Sequence, residues 1–565
     1  DPQNPPIPDP SRVSSRFANT VTQMHRGRRS GSLYCVFVPL TPLRCLHRAV
    51  DLFGKKVGIV SGQHAFTYAE FGARCERLAV ALRTEGVRPG DRVAYLSFNN
   101  HQLLEGYYGV VQAGAIVMPL NVRLSPQELV AILNHSGARM LIFEIDFAPL
   151  VEKLRPLCRT LERYVAIDGP CPAADMTYEE LLDKGHPERV DIMTIDEMSI
   201  AELFYTSGST GTPKGVAHSH RTLYLHALSV ATICRGIETM VDLHTIPLFH
   251  ANGWGRPQSS TMLGTRQIMV RRFEPGLVFG LIQEHRATDM SLVPTMANAL
   301  ILAPNASAFD LTSMRNIMIG GAAASPELMK RMARVFPGAQ CFAGYGLTET
   351  APVLTAARVK DPELQRSTEE SYRRQAMAGW PAPNVVIRVV DFEMKDVPRD
   401  MTTIGEVVAM GDHVMEGYFH EPEATRTVMT GPWFHTGDMA VWDEEGYIHI
   451  VDRKKEIIIS GGENISSIEV EKSIYEHPDV VECAVVAAPD EKWGEVPAAI
   501  VVRKPGTLLD SDGLLAFLSE RLWRYKMPRV MEIAEEPLPK TGTGKVRKLI
   551  LREQFWGGKA RRVQG

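Results

Sequence analysis

The strongest restriction on the fold is an alternation, repeated through most of the chain, of short apolar runs with longer amphipathic stretches. Ala65–Leu82 reads as a short strand entering a helix with Phe71, Leu78, Ala81 and Leu82 on its apolar face. Arg92–Ser97 and Ala115–Leu120 read as strands on either side of a helix through Leu103–Gly114. The pattern continues through Met140–Glu144, Ala201–Tyr205, Asp242–Pro247, Arg266–Val270, Met290–Val293, Asn316–Gly320 and Gln340–Ala343. Strands separated by helices pair in parallel, which predicts an α/β body whose ligands gather beyond the carboxyl ends of its strands.

Near Gly379 the pattern changes. Val385–Val390, Gly405–Ala409 and Gly446–Val451 are strand-like with turns between them, as in a small β-rich subdomain. A charged run, Val451-Asp-Arg-Lys-Lys-Glu456, precedes a last unit of mixed strands and helices. In that unit Ser466 and Glu469 are spaced for a capping box, on a helix ending before Pro478. The expected organisation is α/β. A disordered extension covers 1–41, and a large parallel-sheet body covers 42–451, with its β-rich subdomain from about 380. A hinge at 452–456 leads to a mobile α+β lid domain over 457–565.

A chain of 565 residues exceeds one ordinary core, so more than one domain is expected. The net charge of −4 supplies no basic field to recruit nucleic acid. The eight cysteines are scattered without a C-x-x-C pair, which suits a reducing compartment and disfavours a disulfide framework or structural zinc. There is no apolar run long enough to predict a transmembrane helix. The C-terminal Val563-Gln564-Gly565 is not a peroxisomal Ser-Lys-Leu signal. A cytoplasmic location is the expectation.

Directly after the Glu202–Tyr205 strand comes Tyr205-Thr-Ser-Gly-Ser-Thr-Gly-Thr-Pro-Lys-Gly-Val216. Gly208, Gly211 and Gly215 let backbone N–H groups converge on a bulky anion. Thr206, Ser207, Ser209 and Thr210 add hydroxyls, and Lys214 adds a cation. The spacing is not that of a Walker loop, which needs Gly-Lys-Ser/Thr. Apolar residues flank the stretch, which places it between core elements rather than in a linker.

Seven blocks stand in a fixed order: YTSGSTGTPKGV, PLFHANGW (247–254), GGAAASP (320–326), GYGLTET (344–350), WFHTGD (433–438), DRKKEIIISGGENI (452–465) and LPKTGTGKVRK (538–548). Together they resemble the acyl-adenylate-forming, AMP-binding superfamily in its acyl-CoA synthetase branch. The resemblance runs from about Pro42 to Arg552 and implies two steps. A carboxylic acid reacts with ATP and Mg²⁺ to give acyl-AMP and pyrophosphate, and a thiol, that of coenzyme A, then displaces AMP. It also implies roles. Thr206–Gly211 would hold the β- and γ-phosphates through backbone and hydroxyls, with Lys214 a supporting cofactor-site residue that helps order the loop. Gly344, Tyr345 and Gly346 would face adenine, with Gly321 and Ala322 lying close to the nucleotide or acyl carbon. Thr348 would contact a phosphate, and Glu349 would ligate Mg²⁺, which accepts one carboxylate plus phosphate and water. Asp438 and Arg453 would hold the ribose, and Lys455 would be the hinge residue. Lys545, freed by Gly542 and Gly544, would bring its charge to the reacting phosphate and carboxylate.

For the acid, His250 resembles the residue beside the acyl carboxylate, with Asn252, Gly253, Trp254 and Ala323 near the acyl group. Amino-acid-activating relatives carry an aspartate in this region; here no acid follows PLFHANGW until Glu274, which favours an unsubstituted carboxylic acid. A medium- or long-chain fatty acid is the first expectation, with short-chain, branched, methylthio and aryl acids open. For the acceptor, Gly461, Gly462 and Trp493 lie in segments resembling those that meet coenzyme A. Loading of a carrier protein is the alternative, although no carrier domain follows Gly565. A luciferase-like oxygenase has no specific signal. The resemblance leaves a homodimer and peripheral membrane contact for a lipid substrate open.

Overall fold

The computed structural model describes residues 37–206, 213–360, 368–454, 456–461, 463–540 and 546–557. Leu40–Gly565 make one compact unit. The predicted alternation forms two large sheets. One has eight strands in the order Gly417–Tyr418, Lys214–Ser219, Ile200–Thr206, Ile116–Pro119, Arg92–Leu96, Met140–Glu144, Arg163–Ile167 and Met176–Thr177. The other has nine, with Gln340–Gly346, Asn316–Ile319, Asp289–Leu292, Val241–His244, Arg266–Met269 and Val57–Ser61 parallel at its centre.

The two sheets share a core. Ile59 and Met269 of one and Val93, Val117 and Met140 of the other belong to a single apolar cluster, with Leu103, Leu104 and Tyr107 between them. The helix His101–Gln112 supplies these residues and is buried at every position, so polar residues cannot mark an outer face on it. Asn100 starts it, its Oδ1 accepting from Leu103 N at 2.8 Å.

The strands on either side of the glycine-rich stretch pair with each other. Ile200–Thr206 and Lys214–Ser219 form an antiparallel hairpin, with Thr206 opposite Lys214 and Glu202 opposite His218. Residues 207–212 at its tip lie outside the described residues, as do 1–36 of the expected extension. The last two residues assigned to that extension are tied into the body instead. Leu40 N donates to Glu197 Oε2 at 2.7 Å, and Thr41 Oγ1 meets His220 Nδ1 at 2.8 Å.

After Gly379 the chain forms an antiparallel sheet of Val385–Val390, Gly405–Gly411, Trp433–Trp442, Met429–Thr430 and Ile448–Arg453. The C-terminal domain has its own sheet, centred on the hairpin of Val480–Asp490 and Gly494–Arg503, with apolar clusters on both faces. Its first helix, Ser467–Tyr475, starts as expected with Ser466 Oγ accepting from Glu469 N at 3.1 Å. The box does not close, because the Glu469 carboxylate takes Lys526 Nζ at 2.6 Å and the Ser466 hydroxyl donates to Val451 O. Asp452 accepts from the backbone N of Ser467 and Ile468, so the helix is fastened to the end of the preceding strand.

One buried ion pair fixes the helix Arg256–Leu263 to the nine-stranded sheet. Arg256 Nε donates to Asp242 Oδ2 at 2.9 Å, and Ser260 Oγ donates to the same oxygen at 2.7 Å. Arg256 also lies 3.8 Å from Asp289. Burial pushes the Asp289 carboxyl up to about 6, and the Asp242 charge nearby adds to this. Removing the cation would strand two acids in a dry site. Arg256→Ala is therefore expected to destabilise the protein by about 3–5 kcal/mol, measured by urea unfolding, with a smaller loss in Arg256→Lys.

Candidate active site

The carboxyl ends of the parallel strands converge on one cleft. Asn316–Ile319 delivers Gly320 and Gly321, Gln340–Gly346 delivers Gly344 to Gly346, and the segment after Val241–His244 delivers His250, Ala251 and Trp254. With Leu347, Thr348, Pro352 and Val353 these enclose about 420 Å³ of space open to solvent. Two glycines are required for steric reasons. A Cβ on Gly346 would lie 1.6 Å from Pro352 O, and one on Gly320 would lie 2.9 Å from Gly344 O and 3.1 Å from the Trp254 ring.

Thr348 and Glu349 start a short 3₁₀ turn, Thr348–Thr350, whose backbone is held from below by buried histidines. His218 Nε2–H donates to Thr348 O at 2.8 Å. Val353 N donates to His226 Nε2 at 3.0 Å, and His413 Nδ1 faces Val353 O at 3.2 Å. Burial pulls His218 and His413 down to about 4 and His226 well below its ordinary value, so all three are neutral at pH 7.

The Glu349 side chain is oriented from another part of the chain. Tyr418 Oη donates to Oε1 at 3.0 Å, and Lys214 Nζ stands 4.7 Å from the centre of the Tyr418 ring. No described residue takes Oε2. A single open carboxylate oxygen suits Mg²⁺, which binds mainly through phosphate and water. Among the described residues no cluster of three or more His, Cys, Asp or Glu could hold a metal unaided.

Tyr345 reaches across to the β-rich sheet, its hydroxyl donating to Asp438 Oδ2 at 2.7 Å. Arg453, directly opposite Asp438 in the sheet, binds Oδ1 at 2.7 Å. Burial pushes the Asp438 carboxyl above its usual range, against the pull of Arg453 and of the Tyr345 hydroxyl. Tyr345, Thr348, Glu349, Asp438 and Arg453 thus form one neighbourhood of the fold.

Other sequence-expected residues lie elsewhere. Ala322 and Ala323 are exposed and do not line the cleft. Gly461 and Trp493 meet on the C-terminal domain, where Gly461 N donates to Trp493 O at 2.8 Å, and neither lines the cleft. Ser207, Gly208, Ser209, Thr210, Gly211, Lys455, Gly462 and Lys545 lie outside the described residues.

The stretch expected to meet the acid differs most from what its sequence suggests. Ala251, Asn252, Gly253, Trp254 and Gly255 all have positive φ, between 44° and 71°. Each L-residue in that region costs about 1–2 kcal/mol. Gly253, expected near the acyl group, lies within this run, and its nearest neighbour would be Leu248. Gly255 must be glycine for a second reason, since a Cβ would lie 2.3 Å from the His226 ring. The Asn252 side chain turns away from the cleft, Nδ2 donating to Glu202 Oε2 at 3.0 Å and Oδ1 accepting from Gly255 N at 2.6 Å. The sequence reading missed Glu202, Tyr418 and the histidines. A lone acid inside the apolar Ala201–Tyr205 run was the available signal for Glu202.

The AMP-binding enzyme family matches residues 46–419, and the AMP-binding enzyme C-terminal domain matches 469–545. The chain belongs to the AMP-binding enzyme family. It is 39% identical over 519 residues to the long-chain-fatty-acid–CoA ligase of Thermus thermophilus, covering 90% of this chain and 94% of that protein. It is also 39% identical to a feruloyl-CoA synthase of an Amycolatopsis species, over 87% of this chain and 95% of the relative. The crystal structure of the anthranilate CoA ligase AuaEII in complex with anthranoyl-AMP superposes with a TM-score of 0.79 at 26% identity, over 92% of this chain and 98% of that one. In enzyme class this AMP-binding enzyme is an AMP-forming acid–CoA ligase.

Two outcomes are expected. Tyr418→Phe keeps the ring beneath Lys214 but removes the hydroxyl from Glu349, a hydrogen bond to a charged group worth about 1.5–3 kcal/mol. ATP–pyrophosphate exchange should slow by about tenfold to a hundredfold, with the thermal midpoint near that of the wild type. The second concerns acid. Between pH 6.5 and about 4 the unfolded chain binds protons at His218 and His413 that the folded chain refuses. Stability from these two is complete above 6.5 and falls as the pH drops, by up to about 1.4 kcal/mol per pH unit for each. Calorimetry from pH 7 to 5 should show a smaller decline in His218→Gln than in the wild type.

Proposed function

We propose that this AMP-binding enzyme converts an unsubstituted, largely apolar carboxylic acid to its CoA thioester, a medium- or long-chain fatty acid before others. The observation that carries the reading is the cleft lining, which among the described residues contains no aspartate, glutamate, lysine or arginine. An amino acid would leave its ammonium there without a partner, at a high desolvation cost. The Trp254 ring against Gly320 and Gly321 offers a flat apolar wall, which also favours an aryl acid as the second reading.

The proposed chemistry has two steps. A carboxylate oxygen attacks the α-phosphorus of ATP and pyrophosphate leaves; the CoA thiol then attacks the acyl carbon and AMP leaves. In the first, Tyr345 stacks on adenine, Asp438 and Arg453 hold the ribose hydroxyls, and Thr348 donates to a phosphate oxygen. Thr206–Gly211 and Lys214 hold the departing pyrophosphate. His250 borders the acid's carboxylate, and Lys545 offsets the charge gathered at the transition state. Glu349 would hold Mg²⁺ through its open oxygen, and the bound ion would offset phosphate charge. In the second step the C-terminal domain turns about Lys455 and presents Gly461, Gly462 and Trp493 to the pantetheine arm.

The test is CoA-dependent AMP release across fatty, aryl and amino acids, with Lys545→Ala beside the wild type. Fatty acids should exceed amino acids by at least about tenfold in kcat/KM. Lys545→Ala should lose adenylation while keeping most thioester formation from supplied acyl-AMP. Activity confined to amino acids, or equal loss of both half-reactions in Lys545→Ala, would overturn the reading.

A further inference from the structure

Glu202 is fully buried on the strand Ile200–Thr206, and no lysine or arginine pairs with it among the described residues. Its partners are two side-chain amides. Asn252 Nδ2 donates to Oε2 at 3.0 Å and Gln258 Nε2 to Oε1 at 2.8 Å. The ionisable groups around it are Tyr107, whose own hydroxyl donates to Leu248 O, and His218, its partner across the hairpin, which burial keeps neutral. A bare carboxylate is costly in such a place, and burial pushes the Glu202 carboxyl up to about 8. As a neutral acid it has an O–H to place. Gln258 Oε1, also buried, has no hydrogen-bond partner in the structure as it stands. Turning that amide over sets Oε1 against the acid's O–H.

This buried acid stands under the most strained backbone near the cleft. Five consecutive residues with positive φ, three of them not glycine, persist only where the surroundings fix them. Inside the run the Asn252 amide bonds both to the run's own backbone, at Gly255 N, and to the sheet, at Glu202. The residue this geometry delivers is Trp254, buried against Gly320 and Gly321 at the wall of the cleft.

We propose that Glu202 is a positioning residue for the acid side of the cleft. Through Asn252 it holds the Ala251–Gly255 backbone in its left-handed course, and so fixes the Trp254 ring that bounds the acid. The proposal rests on the reading of this cleft as the acid's site. Its consequence is specificity: the chain length or breadth of acid accepted depends on a residue that never touches the acid.

The test compares Glu202→Gln, which reproduces the neutral acid's acceptor for Asn252 and donor for Gln258, with Glu202→Ala, which removes both. The first readout is amide hydrogen exchange of the segment 250–258 in the full-length protein without ligands. Exchange in Glu202→Ala should be faster by about tenfold, the equivalent of one net hydrogen bond, while Glu202→Gln stays within about twofold of the wild type. The second readout uses whichever acid releases AMP fastest. Its KM should rise by about tenfold in Glu202→Ala with the KM for ATP held within about twofold, and Glu202→Gln should restore it. Should Glu202→Ala fail to fold, Asn252→Ala breaks the same link from the other side and is read in the same two ways. Wild-type exchange and wild-type acid KM in the alanine variant would overturn the proposal. So would a rise in ATP KM parallel to that for the acid, which marks general loosening. If no acid releases AMP, the substrate reading fails, and the exchange measurement still decides the role of Glu202.

Discussion

The site depends on three imidazoles staying neutral. Thr348 lines the cleft, and the backbone between Gly344 and Val353 is committed neither to a long helix nor to a continuous strand. Its buried polar groups still need partners, since an unpaired one costs about 1–3 kcal/mol. His218 donates to Thr348 O, and His226 accepts from Val353 N. His413 stands against Val353 O with its other nitrogen 2.9 Å from Ser229 Oγ. A neutral imidazole can donate to a carbonyl, as His218 does, or accept from an N–H, as His226 does, from a rigid ring. Protonation would turn the His226 acceptor into a second donor pointing at an N–H. Burial prevents it, and the same burial that threatens the segment's polar groups supplies the ring chemistry that satisfies them.

The second layer brings distant pieces of chain to one carboxylate. Glu349 follows the nine-stranded sheet, whereas Tyr418, which orients it, pairs with Val216 at the edge of the eight-stranded sheet. Lys214 lies over the same Tyr418 ring, one register step before the glycine-rich tip. Met415 N also donates to Glu349 O at 2.8 Å. Any shift of the hairpin therefore moves the hydroxyl that sets Glu349. Lys214, read from the sequence as a residue that helps order the loop, stands over the ring whose hydroxyl meets the neighbouring carboxylate.

Periodicity carried most of the fold, because a buried parallel strand reads as an apolar run and a covering helix as an amphipathic one. Arg92–Leu96, Met140–Glu144, Asn316–Ile319 and the Val480–Asp490 and Gly494–Arg503 hairpin were legible in this way. Periodicity could not reveal that Lys214–Ser219 folds back on Ile200–Thr206, since glycines and hydroxyls suit a strand-to-helix turn equally well. Local chemistry misled at Glu469, where the spacing matched a capping box but Lys526, far along the chain, won the carboxylate. In the site, the residues expected to meet ligand stand in recognisable blocks. Their supports do not, because which buried polar side chain meets which is a property of the assembled sheets. Asn252 shows the difference: in the sequence it stands two residues after His250, yet its side chain points to the sheet beneath.

That sheet contact joins the two sides of the cleft. Glu202 and His218 are direct partners across the hairpin that carries the glycine-rich loop. His218 holds the carbonyl of Thr348 on one side, and Glu202 holds Asn252, within the Trp254 turn, on the other. The pair stands beside a register shift between Ile200 and Glu202. Both supports belong to one hairpin and owe nothing to contacts across the open cleft. Both are ionisable residues kept neutral. Charges inside the sheet would need counter-ions, and counter-ions would occupy the space in which Thr348 and Asn252 are held.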